Sequence, residues 1–188
     1  LAIDDTNDVP DERLVEETIA GSDDAFGLLV RRHKQRVIRL VARFARDNDD
    51  LEDISQDVFI KAYEKLETYR REAPFEHWLS RIAIRTCYDA LRKRKNEKMN
   101  VPLQAIHQEI EDTSGALDGA AAEARGLISW GVARLRPDER LVITLLELEE
   151  KTVREVATLT GWSETNVKVR AFRARQKLKD LLETGNGR

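Results

Sequence analysis

Apolar residues recur at steps of three and four along most of the chain, and nowhere do they alternate with polar ones as a half-buried strand requires. The pattern predicts helices throughout, with the prolines at 10, 74, 102 and 137 each at a boundary. Asp11 is expected to cap a short first helix carrying Leu14, Val15 and Ile19, which Gly21 ends. Ser22 caps a longer second helix with Phe26, Leu29, Val30, Val37, Leu40, Val41 and Phe44 on one side. The acidic run at 47–50 interrupts the pattern, and a third helix is expected from about Leu51 to Leu66, its inward stripe being Leu51, Ile54, Val58, Ala62 and Leu66. After a polar connection at 68–73, Pro74 suits the first turn of a fourth helix, continued by Phe75, Trp78, Leu79, Ile82, Ala83 and Ala90 and ending in the basic cluster at 92–95.

From Asn96 to about Glu123 the periodicity weakens, and Pro102, Gly115, Gly119 and scattered acids read as a flexible linker. The predicted fold is therefore all-α: two small helical domains, 11–96 and 125–184, joined by a linker at 97–124. The second domain is short for an independent core, burying about 60% of its unfolded surface, which a compact helical unit tolerates. Leu127, Ile128, Val132 and Leu135 mark one of its helices, and Pro137 and Asp138 start another with Leu141, Val142, Leu145, Leu146 and Leu148.

The last third carries a helix-turn-helix signature. Thr152 and Glu155 have the spacing of a capping box, in which each side chain satisfies the other's backbone amide. Gly161 falls where the chain must turn sharply, and Ser163 is placed to cap a second helix. Along that helix Val167, Ala171, Ala174, Leu178 and Leu181 form one buried stripe, while Lys168, Arg170, Arg173, Arg175, Lys177 and Lys179 occupy the other faces. A solvated basic face would not need cap, turn glycine and stripe to agree, so the pattern points to DNA, with the helix N-terminus toward the major groove and the arginines toward phosphates.

Charge narrows that reading. The chain carries a net −3, distributed as −3 over residues 1–97, −3 over 98–126 and +3 over 127–188. A protein that bound DNA by charge alone would be basic overall, because phosphate contacts supply most non-specific affinity. Its DNA binding is therefore local or licensed by a partner. Cys87, the single cysteine, excludes an internal disulfide and any multi-cysteine zinc site, and His33, His77 and His107 have no metal-ligand spacing. No cofactor is expected, and without a compact carboxylate or His/Cys constellation neither is an enzyme. No stretch approaches a membrane span and no basic-then-apolar leader is present, so a cytoplasmic protein is expected.

The third helix sets Asp53, Gln56, Asp57 and Glu64 beside Phe59, Ile60 and Tyr63, a combination suited to docking a basic or coiled-coil partner, although Phe59 alone could be core. The fourth places Trp78, His77, Arg81, Arg85 and Arg92 near the loop at 68–73. Aromatic and cationic groups together suit single-stranded nucleic acid, while Trp78 also fits the core stripe. A stand-alone dimeric regulator would use the same helix-turn-helix but leaves the acidic N-terminal surface without a purpose.

Together these residues resemble the extracytoplasmic-function group of bacterial sigma factors, over about 23–95 and 133–182. The run 50–63 is similar to the region-two helix that grips the clamp coiled coil of RNA polymerase. The run 75–83 with Asp89, Leu91 and Arg92 is similar to the segment that opens and reads the minus-ten element. The run 135–140 and the helix-turn-helix are similar to region four. The resemblance implies polymerase binding through Asp53, Gln56, Asp57 and Phe59, minus-ten contacts from Trp78, His77, Arg81, Arg85 and Arg92, and minus-thirty-five contacts from Ser163, Thr165, Asn166, Lys168, Arg170, Arg173 and Arg175. It also implies the polymerase flap as a second contact and an anti-sigma factor as a regulator. Arg85 stands where the family commonly has Asn, Thr165-Asn166 replaces a frequent Gly-Thr, and Ala171-Phe172 places its bulk differently from the usual Leu.

Overall fold

The computed structural model describes residues 9–99 and 119–185, and all regular structure among them is helical. In order these are α1 (Asp11–Ile19), α2 (Asp23–Ala42), α3 (Asn48–Glu64), a 3₁₀ turn (Leu66–Thr68), α4 (Phe75–Met99), α5 (Gly119–Ala133), α6 (Pro137–Ile143) running into a π turn (Thr144–Leu148), α7 (Val153–Thr160) and α8 (Glu164–Gly185). The chain divides into two compact units, Leu1–Cys87 and Tyr88–Arg188, so the division falls inside α4. The expected linker at 97–124 is helical at both ends; its middle, 100–118, lies outside the described residues. Glu97, Lys98 and Met99 on one side and the Ala-rich run after Gly119 on the other are good helix formers, so a weak apolar stripe there did not mean an absent helix.

In the first unit, α1 and α3 both pack on α2. Leu14, Val15, Leu29, Val41, Phe44, Val58, Ala62, Leu79 and Ala83 are all but inaccessible, which is the core the periodicity implied. Three boundary details differ from expectation. Asp11 does not cap α1: Pro10 holds the cap position, and the Asp11 carboxylate instead accepts from Arg32 and lies 2.8 Å from His33 Nε2. Ile19, the last residue of α1, is half exposed. The acidic run at 47–50 begins α3 instead of separating it, because the Asp47 carboxylate accepts from the Asp50 amide at 2.8 Å and the acids that follow favour a helix N-terminus.

In the second unit, α8 packs on α5, α6 and α7. Leu135, Ile143 and Ala174 form a cluster flanked by Val132 and Leu178, and Leu141, Leu145, Val156, Val167 and Ala171 are buried around it. Gly131 lets α8 approach α5: a Cβ there would stand 3.0 Å from a Leu178 methyl. Glu139 is buried, its carboxylate accepting from the Arg136 amide at 3.0 Å to close the start of α6. Leu148, expected in the apolar stripe, is instead exposed, because the π turn shifts the last residues of this helix out of register.

Two single changes test the local construction of this unit. Gly161 ends α7 in the left-handed region at φ 76°, so Gly161→Ala is expected to lower its unfolding free energy by about 1 kcal/mol. Thr152→Ala, which removes the cap, is expected to cost ~1 kcal/mol as well. Both are read from urea midpoints at unchanged slope.

Candidate nucleic-acid interface

The helix-turn-helix is built as its sequence requires. Thr152 Oγ1 accepts from the Glu155 amide at 3.2 Å while the Glu155 carboxylate accepts from the Thr152 amide at 2.8 Å, which fixes the start of α7. Gly161 turns the chain, and Ser163 Oγ accepts from the Asn166 amide at 3.2 Å to start α8. Val167, Ala171 and Ala174 face inward. The side directly opposite is formed by Thr165, Val169, Phe172 and Gln176, at steps of four, three and four, and all four are exposed.

Of the seven residues expected to meet duplex DNA, Ser163, Thr165, Asn166, Lys168, Arg173 and Arg175 are exposed, but their charges are not equally available. Lys168 and Arg173 make no ion pair among the described residues. Arg175 is held by Glu147 at 2.6 Å. Arg170 is drawn inward: it lies 3.4 Å from Asp138, its guanidinium stacks over the Trp162 ring at 4.2 Å, and it donates to the Asn166 carbonyl at 3.3 Å. Arg170 thus fixes the start of α8. Val169 and Phe172 carry no recognisable motif, yet both lie on the exposed face, and Phe172, at 70% exposure, stands further into solvent than any other large apolar side chain among the described residues. The signal was its spacing of seven from Thr165, two turns along the outer face.

In the first unit, the connection between α3 and α4 is less polar at its centre than its composition suggested. Tyr69 is 8% exposed, its ring 5.5 Å from Phe75 and 5.7 Å from Trp78, and its hydroxyl donates to the Ala73 carbonyl at 2.9 Å. The loop thus closes on itself around a buried ring. Trp78, expected to stack on bases, is 8% exposed within this aromatic cluster, because the same face of α4 supplies the core. His77, Arg81 and Arg85 are exposed at steps of four, which puts them on one face of α4; Arg92, on the part of α4 that belongs to the second unit, is exposed as well. Arg92 also lies over the Tyr88 ring, 5.8 Å from its centroid.

On α3, Asp53, Gln56 and Asp57 are exposed and continue into Ile60 and Tyr63, about half exposed each. Phe59 is half buried, so it sits at the edge of this face. Tyr63 is held by an edge-on contact with Phe26, centroids 4.9 Å apart. Among the described residues no group of His, Cys, Asp and Glu side chains has the arrangement of a metal site, and no helix is long and apolar enough to cross a membrane.

Comparison with known proteins bears on both units. The family described as Sigma-70 region 2 matches residues 29–97, and that described as Sigma-70, region 4 matches residues 132–178. The extracytoplasmic-function (ECF) RNA polymerase sigma-E factor of Escherichia coli K12 is 32% identical over 181 residues, which is 92% of this chain and 94% of that protein. The RNA polymerase sigma-H factor of Pseudomonas aeruginosa is 30% identical over the same shares. Among solved structures, CnrH in complex with the cytosolic domain of CnrY aligns with a TM-score of 0.58 at 27% identity, covering 93% of this chain and 97% of that one. The sigma factor RpoE of Bartonella quintana, solved with the anti-sigma factor NepR, shares the fold at a TM-score of 0.59 and 22% identity, covering 84% and 96%.

Tyr69 offers a test of the loop. Burial, with the Glu12 and Asp11 carboxylates adding to it and Arg71 opposing, raises its phenol above the ordinary value of 10.0. The folded state therefore holds this proton more tightly than the unfolded chain does. The resulting stability is complete below pH ~10 and is lost as pH rises through the folded value. Tyr69→Phe is expected to cost ~1 kcal/mol at neutral pH by removing the hydrogen bond to Ala73. It should also abolish this part of the alkaline decline, measured by urea unfolding from pH 8 to 11.

Proposed function

The chain belongs to the sigma-70 family, in its extracytoplasmic-function group, and on that ground we propose how its surfaces divide the work of directing core RNA polymerase to promoters. The exposed face of α3, with Asp53, Gln56, Asp57 and the neighbouring Phe59, docks the clamp coiled coil of core polymerase. The loop at 68–73 and the face of α4 carrying His77, Arg81 and Arg85, with Arg92 further along the helix, receive the non-template strand at the minus-ten element. Trp78 contributes by holding that surface in shape. The reading of the minus-thirty-five element falls to α8, with Thr165, Asn166 and Lys168 at base edges and Arg173 and Arg175 at phosphates. The observation that carries this assignment is on α8, whose outer face is wholly solvent-exposed, flanked by Lys168 and Arg173 without ion-pair partners among the described residues, and set at its start by the Ser163 cap after a left-handed glycine.

Val169 and Phe172 add an apolar element to that face, and thymine C5-methyl groups are its natural complement in the major groove. The net charge of −3 fits a protein whose promoter affinity appears once polymerase is bound. The role is that of a binding subunit acting in the cytoplasm, without chemistry of its own. Control by an anti-sigma factor belongs to the same proposal, supported by the likeness to CnrH, which was solved with the cytosolic domain of CnrY.

Transcription in vitro from a cognate promoter is expected with core polymerase plus this protein and with neither alone; a footprint by the free protein at equal strength would overturn the proposal. Arg173→Ala should weaken holoenzyme binding across promoter variants and reduce the salt dependence by about one unit of slope. Asn166→Ala should instead change preference at one base position by ~1–3 kcal/mol. Equal effects of both on every variant would count against the assignment. Asp57→Ala combined with Phe59→Ala should abolish co-purification with core polymerase while leaving thermal unfolding of the second unit unchanged.

A further inference from the structure

We propose that α1 is a brace that holds the strand-receiving loop in its working shape, with Glu16 and Arg71 as the positioning residues. The inference rests on the role given above to the loop and α4. Three observations converge on it. First, α1 is anchored from within: Leu14 and Val15 are each 1% exposed, and Asp11 binds both Arg32 and His33 of α2. Second, α1 meets both ends of the loop. It packs on the 3₁₀ turn at Leu66–Thr68, where the loop begins, and through Asp11 it fixes His33, whose ring lies 5.3 Å from Phe75, where the loop ends.

Third, the middle of the loop is tied down. Arg71 has φ 59°, a left-handed conformation that a non-glycine residue keeps only where its surroundings hold it. Its guanidinium is 2.7 Å from the Glu16 carboxylate on α1. On the inner side, Tyr69 closes the same five residues by its bond to Ala73. Arg71 is thereby turned back toward the protein, while its neighbours Arg70 and Glu72 are exposed and make no ion pair among the described residues. The loop thus presents Arg70 and Glu72 outward in a conformation fixed before any strand arrives. Ordering entropy that a mobile loop would lose on capturing an extruded base has already been lost on folding.

The Glu16–Arg71 pair is about half exposed on both sides. It contributes little to stability, so it can be rearranged without unfolding the unit. Holoenzymes carrying Glu16→Arg, Arg71→Glu, both changes together, or Arg71→Gly are assembled with core polymerase. Strand opening is followed by the fluorescence of 2-aminopurine placed in the minus-ten non-template strand. Each single reversal is expected to slow opening about three- to fivefold, the range open to a half-exposed ion pair. The double reversal should restore it, and capture of duplex promoter upstream should be unchanged throughout.

Arg71→Gly is the discriminating variant. Glycine adopts the left-handed backbone without strain, so stability is retained or increased, yet opening should slow as in the single reversals because the tie is gone. Wild-type opening in the single reversals and in Arg71→Gly, or failure of the double reversal to restore the rate, would overturn the brace. Arg81→Ala separates the two levels. If it slows opening while the Glu16 and Arg71 variants do not, the brace alone is wrong; if it too leaves opening unchanged, the assignment of this surface to strand opening is wrong and the brace with it.

Discussion

The first unit depends on the packing of Tyr69 and Trp78 against Phe75, with the His33 ring 5.3 Å from Phe75 as well. This cluster joins α2, the loop and the start of α4 in one apolar layer, so the loop has no freedom to move apart from the helix that follows it. Aromatic rings bury large areas with few rotamers, which makes such a layer both stabilising and shape-determining. One consequence concerns the opposite side of α4. With one face committed to the core, His77, Arg81 and Arg85 are presented outward together, spaced along the helix at intervals of about one turn. The tryptophan therefore sets the geometry of the surface.

Electrostatics follows a comparable division. Two arginines of α8 expected to meet DNA are occupied by carboxylates of the same unit, Arg170 by Asp138 and Arg175 by Glu147. Two other cations of the same helix, Lys168 and Arg173, make no ion pair among the described residues. Internal pairing lowers the long-range pull on phosphate while leaving short-range contacts intact, since an exposed pair is worth little and exchanges readily for a better-placed anion. Net acidity and local DNA binding are thus compatible when, as proposed, specificity resides in contacts made at the groove and recruitment is left to a larger partner.

Much of the fold was legible because helices announce themselves by period. The stripes through Leu29, Val37 and Val41, through Ile54, Val58 and Ala62, and through Val167, Ala171 and Ala174 are buried as spaced. The capping box at Thr152 and the turn at Gly161 were legible for the same local reason. What period does not reveal is partnership across the chain. Asp11 reads as a cap but is recruited by Arg32 and His33 two turns into another helix. Arg170 reads as a phosphate ligand, yet Asp138 and Trp162 claim it. Tyr69 sits in a run of polar residues and is buried, because loops that close on a ring leave no periodic trace. The residues singled out as candidate surfaces do lie on helix faces, whereas which of them stand free there required tertiary structure.

The outer and inner faces of α8 share almost nothing. Thr165, Val169, Phe172 and Gln176 are exposed, while the stripe that holds the helix in place is formed by other residues on the opposite side, and Arg170 secures the helix start from a third direction. Substitutions on the exposed side are therefore nearly free of folding cost, as surface changes away from caps and cores generally are. If the outer face of α8 reads target DNA as proposed, such a helix can drift to new target sequences over evolutionary time without passing through unstable intermediates. A lineage that duplicates this gene can diversify its regulatory circuits while every copy keeps the same scaffold.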